Sequence, residues 1–241
     1  MVHTAPDYTM KYKQNTIYSV VDNAELVARS SKYFSVDRRG NVVWYDDFET
    51  AVSTRWVAVA DTIGTAAPST DRAWTGDTSM KIVTAAVVDD GVTVVKAFSG
   101  GFSHRAGVEI WFTITGGKPF VYLTLVGYSG TYYYEAGLRF NENNGRLYYE
   151  NDTSAYTEIT KDDHVYTDRE HWVPMKVVVD WDLREYVRVI FGGTEYDLTG
   201  VPLYAVLSGL DQNIRPQFRA DAATAAVATV YFDNFMLTQN E

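Results

Sequence analysis

The sequence predicts an all-β protein in which two antiparallel sheets pack face to face. Three observations predict it. From Lys32 onward, short runs rich in Val, Tyr, Phe and Thr follow one another at the spacing of sandwich strands. These runs are parted by pairs that tolerate positive φ: Asp90-Gly91, Gly100-Gly101, Gly116-Gly117, Asn144-Gly145 and Gly192-Gly193. No segment after residue 32 keeps a helical period. The chain has 241 residues, 46% of them hydrophobic, with 18 Tyr and 6 Trp, which is enough apolar material for one such core.

Residues 1–31 differ from the rest of the chain. They are polar with scattered Tyr and read as an extended arm, with Asp22 or Asn23 placed to cap one short helix over 24–28. The sandwich domain covers 32–241. Its strands are expected near 32–36, 41–48, 54–60, 78–86, 92–98, 106–115, 119–127, 131–140, 145–150, 155–160, 172–180, 185–191, 194–198, 215–219 and 227–237. Asp37-Arg38-Arg39-Gly40-Asn41 has the composition of a hairpin loop.

Alternation assigns the strand faces. Val108, Ile110, Phe112 and Ile114 form an inner face, with Glu109, Trp111 and Thr113 on the other. Val121, Leu123 and Leu125 point inward, leaving Tyr122 and Thr124 outside, and Val177 and Val179 join the core. Leu138 and Phe140 turn Tyr133, Glu135 and Arg139 outward, and Leu147 and Tyr149 do the same for Tyr148. The expectation is one outer surface of aromatics and charges: Trp111, Tyr122, Tyr133, Glu135, Arg139 and Tyr148. Such a surface can stack sugar rings and hydrogen-bond their hydroxyls. The same residue types also follow from strand propensity alone.

Composition removes several classes. The net charge of −10, without clustered Lys and Arg, disfavours nucleic acid. With no cysteine, neither a disulfide framework nor a thiolate metal site is available. His3, His104, His164 and His171 lack metal-ligand spacing, no Ser sits in a nucleophile elbow, and the Gly pairs form no phosphate loop. No run is long and apolar enough for a membrane span, and the stretch MVHTAPDYTMKYKQ does not read as a signal peptide. A membrane partner is not expected, and the expected location is the cytoplasm.

Three local patterns resemble the concanavalin/laminin-G-like jelly-roll sandwiches, a group that includes carbohydrate-binding modules. They are Asp46-Asp47-Phe48-Glu49 followed by Trp56, Gly76-Asp77-Thr78-Ser79-Met80-Lys81-Ile82, and Val230-Tyr231-Phe232-Asp233-Asn234-Phe235-Met236-Leu237. The Trp-led strand and its return across 171–191 add a fourth, and the likeness spans about 44–238. It implies an antiparallel jelly roll. It also suggests a structural calcium at Asp46, Asp47, Glu49 and Asp233 if the first and last body strands pair, since carboxylates and an amide oxygen suit that ion. Otherwise these are edge carboxylates and a satisfied core Asp, and no cofactor is required.

A laminarinase-type hydrolase would carry Glu-x-Asp-x-x-Glu on one strand. The nearest match, Asp180-Trp181-Asp182-Leu183-Arg184-Glu185, lacks the first Glu and straddles a hairpin turn, so no enzyme is expected here. The piece SVDRRGNVVWYDDFE resembles segments of tailed-bacteriophage structural proteins. That resemblance implies a non-enzymatic virion component, a capsid decoration or tail-associated protein assembled in the host cytoplasm. The arm would supply Tyr8, Tyr12, Ile17, Tyr18 and Leu26 to contacts with further copies or with capsid or tail proteins. A carbohydrate-binding module is the alternative, and a degenerate glycoside hydrolase the third reading.

Overall fold

The computed structural model describes residues 35–37, 39–50, 56–100, 104–159 and 171–241. The arm, with Tyr8, Tyr12, Ile17, Tyr18 and Leu26 and its expected helix, lies outside the described residues, as do His3 and His164.

Among the described residues seventeen strands, numbered along the chain, form two antiparallel sheets. The first sheet holds β1 (Asn41–Asp46), β3 (Thr65–Ser69), β4 (Ser79–Val83), β7 (Arg105–Gly116), β12 (Val173–Asp180), β13 (Glu185–Phe191), β14 (Thr194–Asp197) and β17 (Thr229–Gln239). The second holds β2 (Val57–Ala60), β5 (Gly91–Val95), β6 (Phe98–Ser99), β8 (Pro119–Tyr128), β9 (Tyr132–Asn141), β10 (Arg146–Glu150), β11 (Tyr156–Glu158), β15 (Tyr204–Leu207) and β16 (Asn213–Ala222). Their orders are β14-β13-β12-β7-β17-β4-β3 and β11-β10-β9-β8-β16-β5-β2, with β1 on β17, β15 on β9 and β6 on β16. The chain crosses between sheets repeatedly, which is jelly-roll topology, and no described residue is helical.

The strand faces follow the alternation. Val108, Ile110, Phe112, Leu123, Leu125, Leu138, Val177 and Val179 are fully buried between the sheets. At about 25 cal/mol per Å² of apolar surface, such a core is the main force holding the two layers together. One end of it is aromatic. The Trp56 ring lies 5.3 Å from Trp44, 5.9 Å from Phe48, 5.1 Å from Phe218 and 4.9 Å from Phe235. Its indole N–H donates to the buried carboxylate of Asp46 at 3.1 Å, so the polar atom does not go unpaired.

Several differences from the expected strands have local causes. β3 is written Thr-Ala-Ala-Pro-Ser, which has little strand signal. It sits at a sheet edge, where Pro68 interrupts no inner ladder. β6 has two residues and β15 pairs only with the first part of β9, so neither carries a periodic pattern of its own. Ser35–Asp37, at the end of the expected strand 32–36, form no strand.

Candidate functional site

The outer face of the second sheet carries the site. On β9 the outward residues are Tyr133, Glu135, Gly137 and Arg139, while Tyr134, Ala136, Leu138 and Phe140 pack inward. Cross-strand register sets Tyr122 of β8 beside Arg139, and Arg139 beside Tyr148 of β10. On β16 the partner of Tyr122 is Arg219, which in turn lies beside Thr93 of β5. The expected residues Tyr122, Tyr133, Glu135, Arg139 and Tyr148 therefore share one face. Tyr133 stands at its far end, packed on Tyr128 and Tyr204.

Trp111 does not belong with them. β7 lies in the first sheet, so an outward Trp111 faces the opposite side of the sandwich, where its ring stacks on Trp74 at 4.7 Å and 9°. Alternation gives the side of a strand but not which sheet the strand joins, and for that reason it groups Trp111 with the others. Its neighbour Glu109 is also not a surface residue. It is 1% exposed, its carboxylate accepts from the Val36 N–H and the Ser35 hydroxyl, and burial pushes its pKa up to about 7 against the opposing pull of Lys176.

Tyr122, Thr124, Glu135, Glu150, Tyr156 and Arg219, with residues beside them, line a cleft of about 400 Å³. The Arg139 guanidinium lies over three rings, 5.0 Å from Phe120, 4.8 Å from Tyr148 and 4.1 Å from Tyr156. Arg219 is held by Asp61 at 2.5 Å and by Asp221. Glu150 is 4% exposed. Its Oε1 accepts the Ser154 hydroxyl at 2.6 Å, while Oε2, packed against the Gly137 backbone and closed to solvent, has no hydrogen-bond partner.

Burial, with the charge of Glu150 nearby, raises Glu135 to about 8, and burial raises Glu150 as well, opposed by the Ser154 hydrogen bond. Burial and the neighbouring Asp221 push the Tyr122 hydroxyl well up, and burial and Glu150 do the same for Tyr156. Near neutral pH the cleft therefore presents tyrosine hydroxyls and the protonated Glu135 carboxyl beside two guanidinium groups, a set suited to sugar hydroxyls.

The facing sheet fixes this arrangement. The β9–β10 ladder ends at the pair Leu138–Tyr149, and the hydroxyl of Tyr186 on β13 enters where the two strands part. It accepts the Gly137 N–H at 2.9 Å and donates to the Glu150 carbonyl at 2.8 Å. Glu150 packs directly over the Gly137 backbone, where a Cβ would meet its Oε2 at 2.8 Å. Glu150 was legible in principle, because it follows Tyr148 by two residues on one strand. So was the outward row Asn213, Arg215, Gln217, Arg219 and Asp221. Tyr156 sits on a three-residue strand, too short to show a period.

The residues expected for calcium do not share one centre. Asp46 accepts from the Phe48 N–H and Trp56, and Glu49 accepts from the N–H groups of Asp77 and Thr78. Asp233 accepts from the N–H groups of Trp74, Thr75 and Asn234, at a kink of β17 where Asn234 has φ 49°. Asp47 braces the Glu49 N–H. Among the described residues no three His, Asp or Glu side chains are placed to hold a metal ion. Excess EDTA is accordingly expected to leave the melting temperature unchanged, and a drop would favour a bound calcium.

The motif Asp180 to Glu185 lies at the β12–β13 turn, where Asp180 accepts from the N–H groups of Asp182 and Leu183 and pairs with Arg105. His104 contacts Asp182 at 2.8 Å at the exposed end of the same turn.

No family model matches the sequence, and no curated protein matches it. Solved structures do. The chain is similar to the cellulose-induced protein Cip1, with a TM-score of 0.56 and 17% identity over 81% of this chain and 96% of that one. An endo-β-1,4-glucuronan lyase from the fungus Trichoderma reesei gives 0.56 and 11%, over 82% and 95%. A carbohydrate esterase from the Shiga toxin-encoding bacteriophage phi24B gives 0.54 and 13%, over 84% and 100%. At these identities the likeness establishes the fold, a concanavalin-like jelly-roll sandwich.

Proposed function

We propose that the protein binds a polysaccharide chain across the outer face of the second sheet, over Tyr122, Glu135, Arg139, Glu150 and Tyr156. One observation carries the reading: Tyr122, Glu135, Tyr156 and Arg219 line one outward cleft beside the Arg139 guanidinium, which lies over the Tyr148 and Tyr156 rings. Arg139 and the rings around it give the flat, amphipathic surface on which a pyranose can lie. The lyase and the esterase of the same fold are carbohydrate-active by name, which supports the reading without assigning a sugar.

Affinity electrophoresis through soluble mixed-linkage β-glucan, xylan or a β-1,4-polyuronate should retard the full chain. Tyr156→Ala, on an edge strand, is expected to weaken that retardation about tenfold, the effect of ~1.4 kcal/mol. Unaltered migration of the full chain in all three gels would refute the proposal. The virion role depends on residues 1–31, and nothing among the described residues favours it over glycan binding.

A further inference from the structure

We propose that the ligand is an acidic polysaccharide, a polyuronate, whose carboxylates pair with Arg139 and Arg215. This deepens the binding reading and rests on it. In a chain of net charge −10 an arginine finds an acid easily, and Arg39, Arg105, Arg146, Arg188 and Arg219 each pair with one. Arg139 and Arg215 do not. Among the described residues neither guanidinium meets a carboxylate, and both stand half-buried on the outer face of the second sheet. Arg184 also lacks an acid, but it lies at the β12–β13 turn of the first sheet.

Each of the two lies on tyrosine rings instead. Arg139 stands over Tyr148 and Tyr156, and Arg215 over Tyr128 at 4.6 Å, where Tyr133 and Tyr204 continue the aromatic surface. Arg215 Nε donates to the Asn213 side-chain oxygen at 2.8 Å, a neutral acceptor that holds the side chain without cancelling its charge. The acids nearby leave that charge standing. Glu158 pairs with Arg146, Asp61 and Asp221 both pair with Arg219, and Glu150 is buried against Ser154. Glu135, raised to about 8 chiefly by burial, is neutral near pH 7.

The spacing points to a polymer. Register sets Arg139 level with Tyr122 of β8 and Arg215 level with Val126, four residues or about 13 Å further along the strand. With β8 between their two strands, their backbones are about 16 Å apart. One small acid cannot span both, whereas a chain that carries a carboxylate on every sugar can. An arginine–carboxylate pair makes charge-assisted hydrogen bonds about twice as strong as neutral ones, so the carboxylates would select the chain.

Affinity electrophoresis of the full chain is the test. The β-1,4-polyuronate should bind about tenfold more tightly than xylan or mixed-linkage β-glucan. Bulk charge cannot cause this, because an acidic protein is repelled by a polyanion. The preference should vanish in about 1 M salt, and with methyl-esterified polyuronate, which keeps the backbone and loses the charge. Arg139→Gln and Arg215→Gln should each weaken polyuronate binding about tenfold, with near-ultraviolet circular dichroism showing both folded. Arg139→Lys and Arg215→Lys, which keep the charge, should recover part of it. Equal or stronger retardation by xylan or β-glucan would overturn the acidic ligand and leave binding standing. Polyuronate binding that both Gln variants keep in full would do the same. If none of the three polysaccharides retards the chain, the binding reading fails and this one with it.

Discussion

Stability is expected to fall by several kcal/mol as the pH rises from about 5 to about 8.5, the reverse of what carboxylates paired on a surface would give. Glu109 and Asp233 are each raised to about 7, and Glu135 to about 8, in every case chiefly by burial. The sign follows from the raised values. The folded state holds protons that the unfolded chain releases near pH 4, so this stability is fully present below that point and is lost as pH climbs through 7 and 8.

Asp37 works in the opposite sense. Burial alone would raise it, but the hydrogen bond from Arg39, the charge of Lys176 and the hydrogen bond from Arg188 hold it well below the usual range. Its contribution is present above about pH 4 and lost on further acidification, so the two effects set the optimum near pH 4. Melting curves at the two pH values should differ by roughly 10 °C or more. Glu109→Gln, which keeps the neutral shape, should flatten the dependence in part. A protein equally stable at both values, or more stable at the higher, would contradict the assignment.

The burial that raises Glu109, Glu135 and Asp233 is not announced in the sequence. Asp233 belongs to the closing-strand pattern, yet its carboxylate anchors the backbone at 74–75, a contact across 158 residues or more that no local pattern encodes. The faces of β7, β8 and β9 were readable because a period of two is a local property. Sheet membership is not local. The eight- and nine-stranded layers are set by how the crossovers run, so Trp111 could be given a side but not a partner. The same holds for the cleft. Tyr122, Glu135, Arg139 and Tyr148 are expected outward residues that register brings together. Arg219 and Asp221 join them only because β16 pairs with β8. The Tyr186 hydroxyl reaches the site from the other sheet, and a hydrophobic-looking strand gave no sign of it.

Lys176→Ala is expected to cost about 3–5 kcal/mol, among the largest effects of any single substitution outside the core. Every residue of β12 is buried, and Lys176 is fully so, on the outward side of its strand. Its ammonium lies 2.7 Å from Glu241 and 3.2 Å from Asp37, and Glu109 is its register partner on β7. Arg188 also pairs with Asp37, at 2.8 Å, and with Glu241. Removing the lysine leaves Asp37, Glu109 and Glu241 with only Arg188 and, on Asp37, Arg39 to offset them, in a largely buried place where an uncompensated charge is expensive.

The loss must depend on pH in one direction. Lys176 pulls Glu109 downward against burial, so without it Glu109 titrates still higher and its ionisation opposes folding more strongly. The deficit should therefore be larger at about pH 8 than at about pH 5, where Glu109 is neutral in both proteins. Lys176→Met, which restores apolar bulk without charge, should recover packing at the lower pH and little at the higher. Urea melts of the two variants decide it, and a deficit that is constant or larger at about pH 5 would mean that Lys176 acts by packing alone. The cluster lies on the first sheet, on the far side of the sandwich from the cleft. Polysaccharide retardation at about pH 5 should accordingly survive in Lys176→Met, separating the charge network that holds one face from the residues that bind on the other.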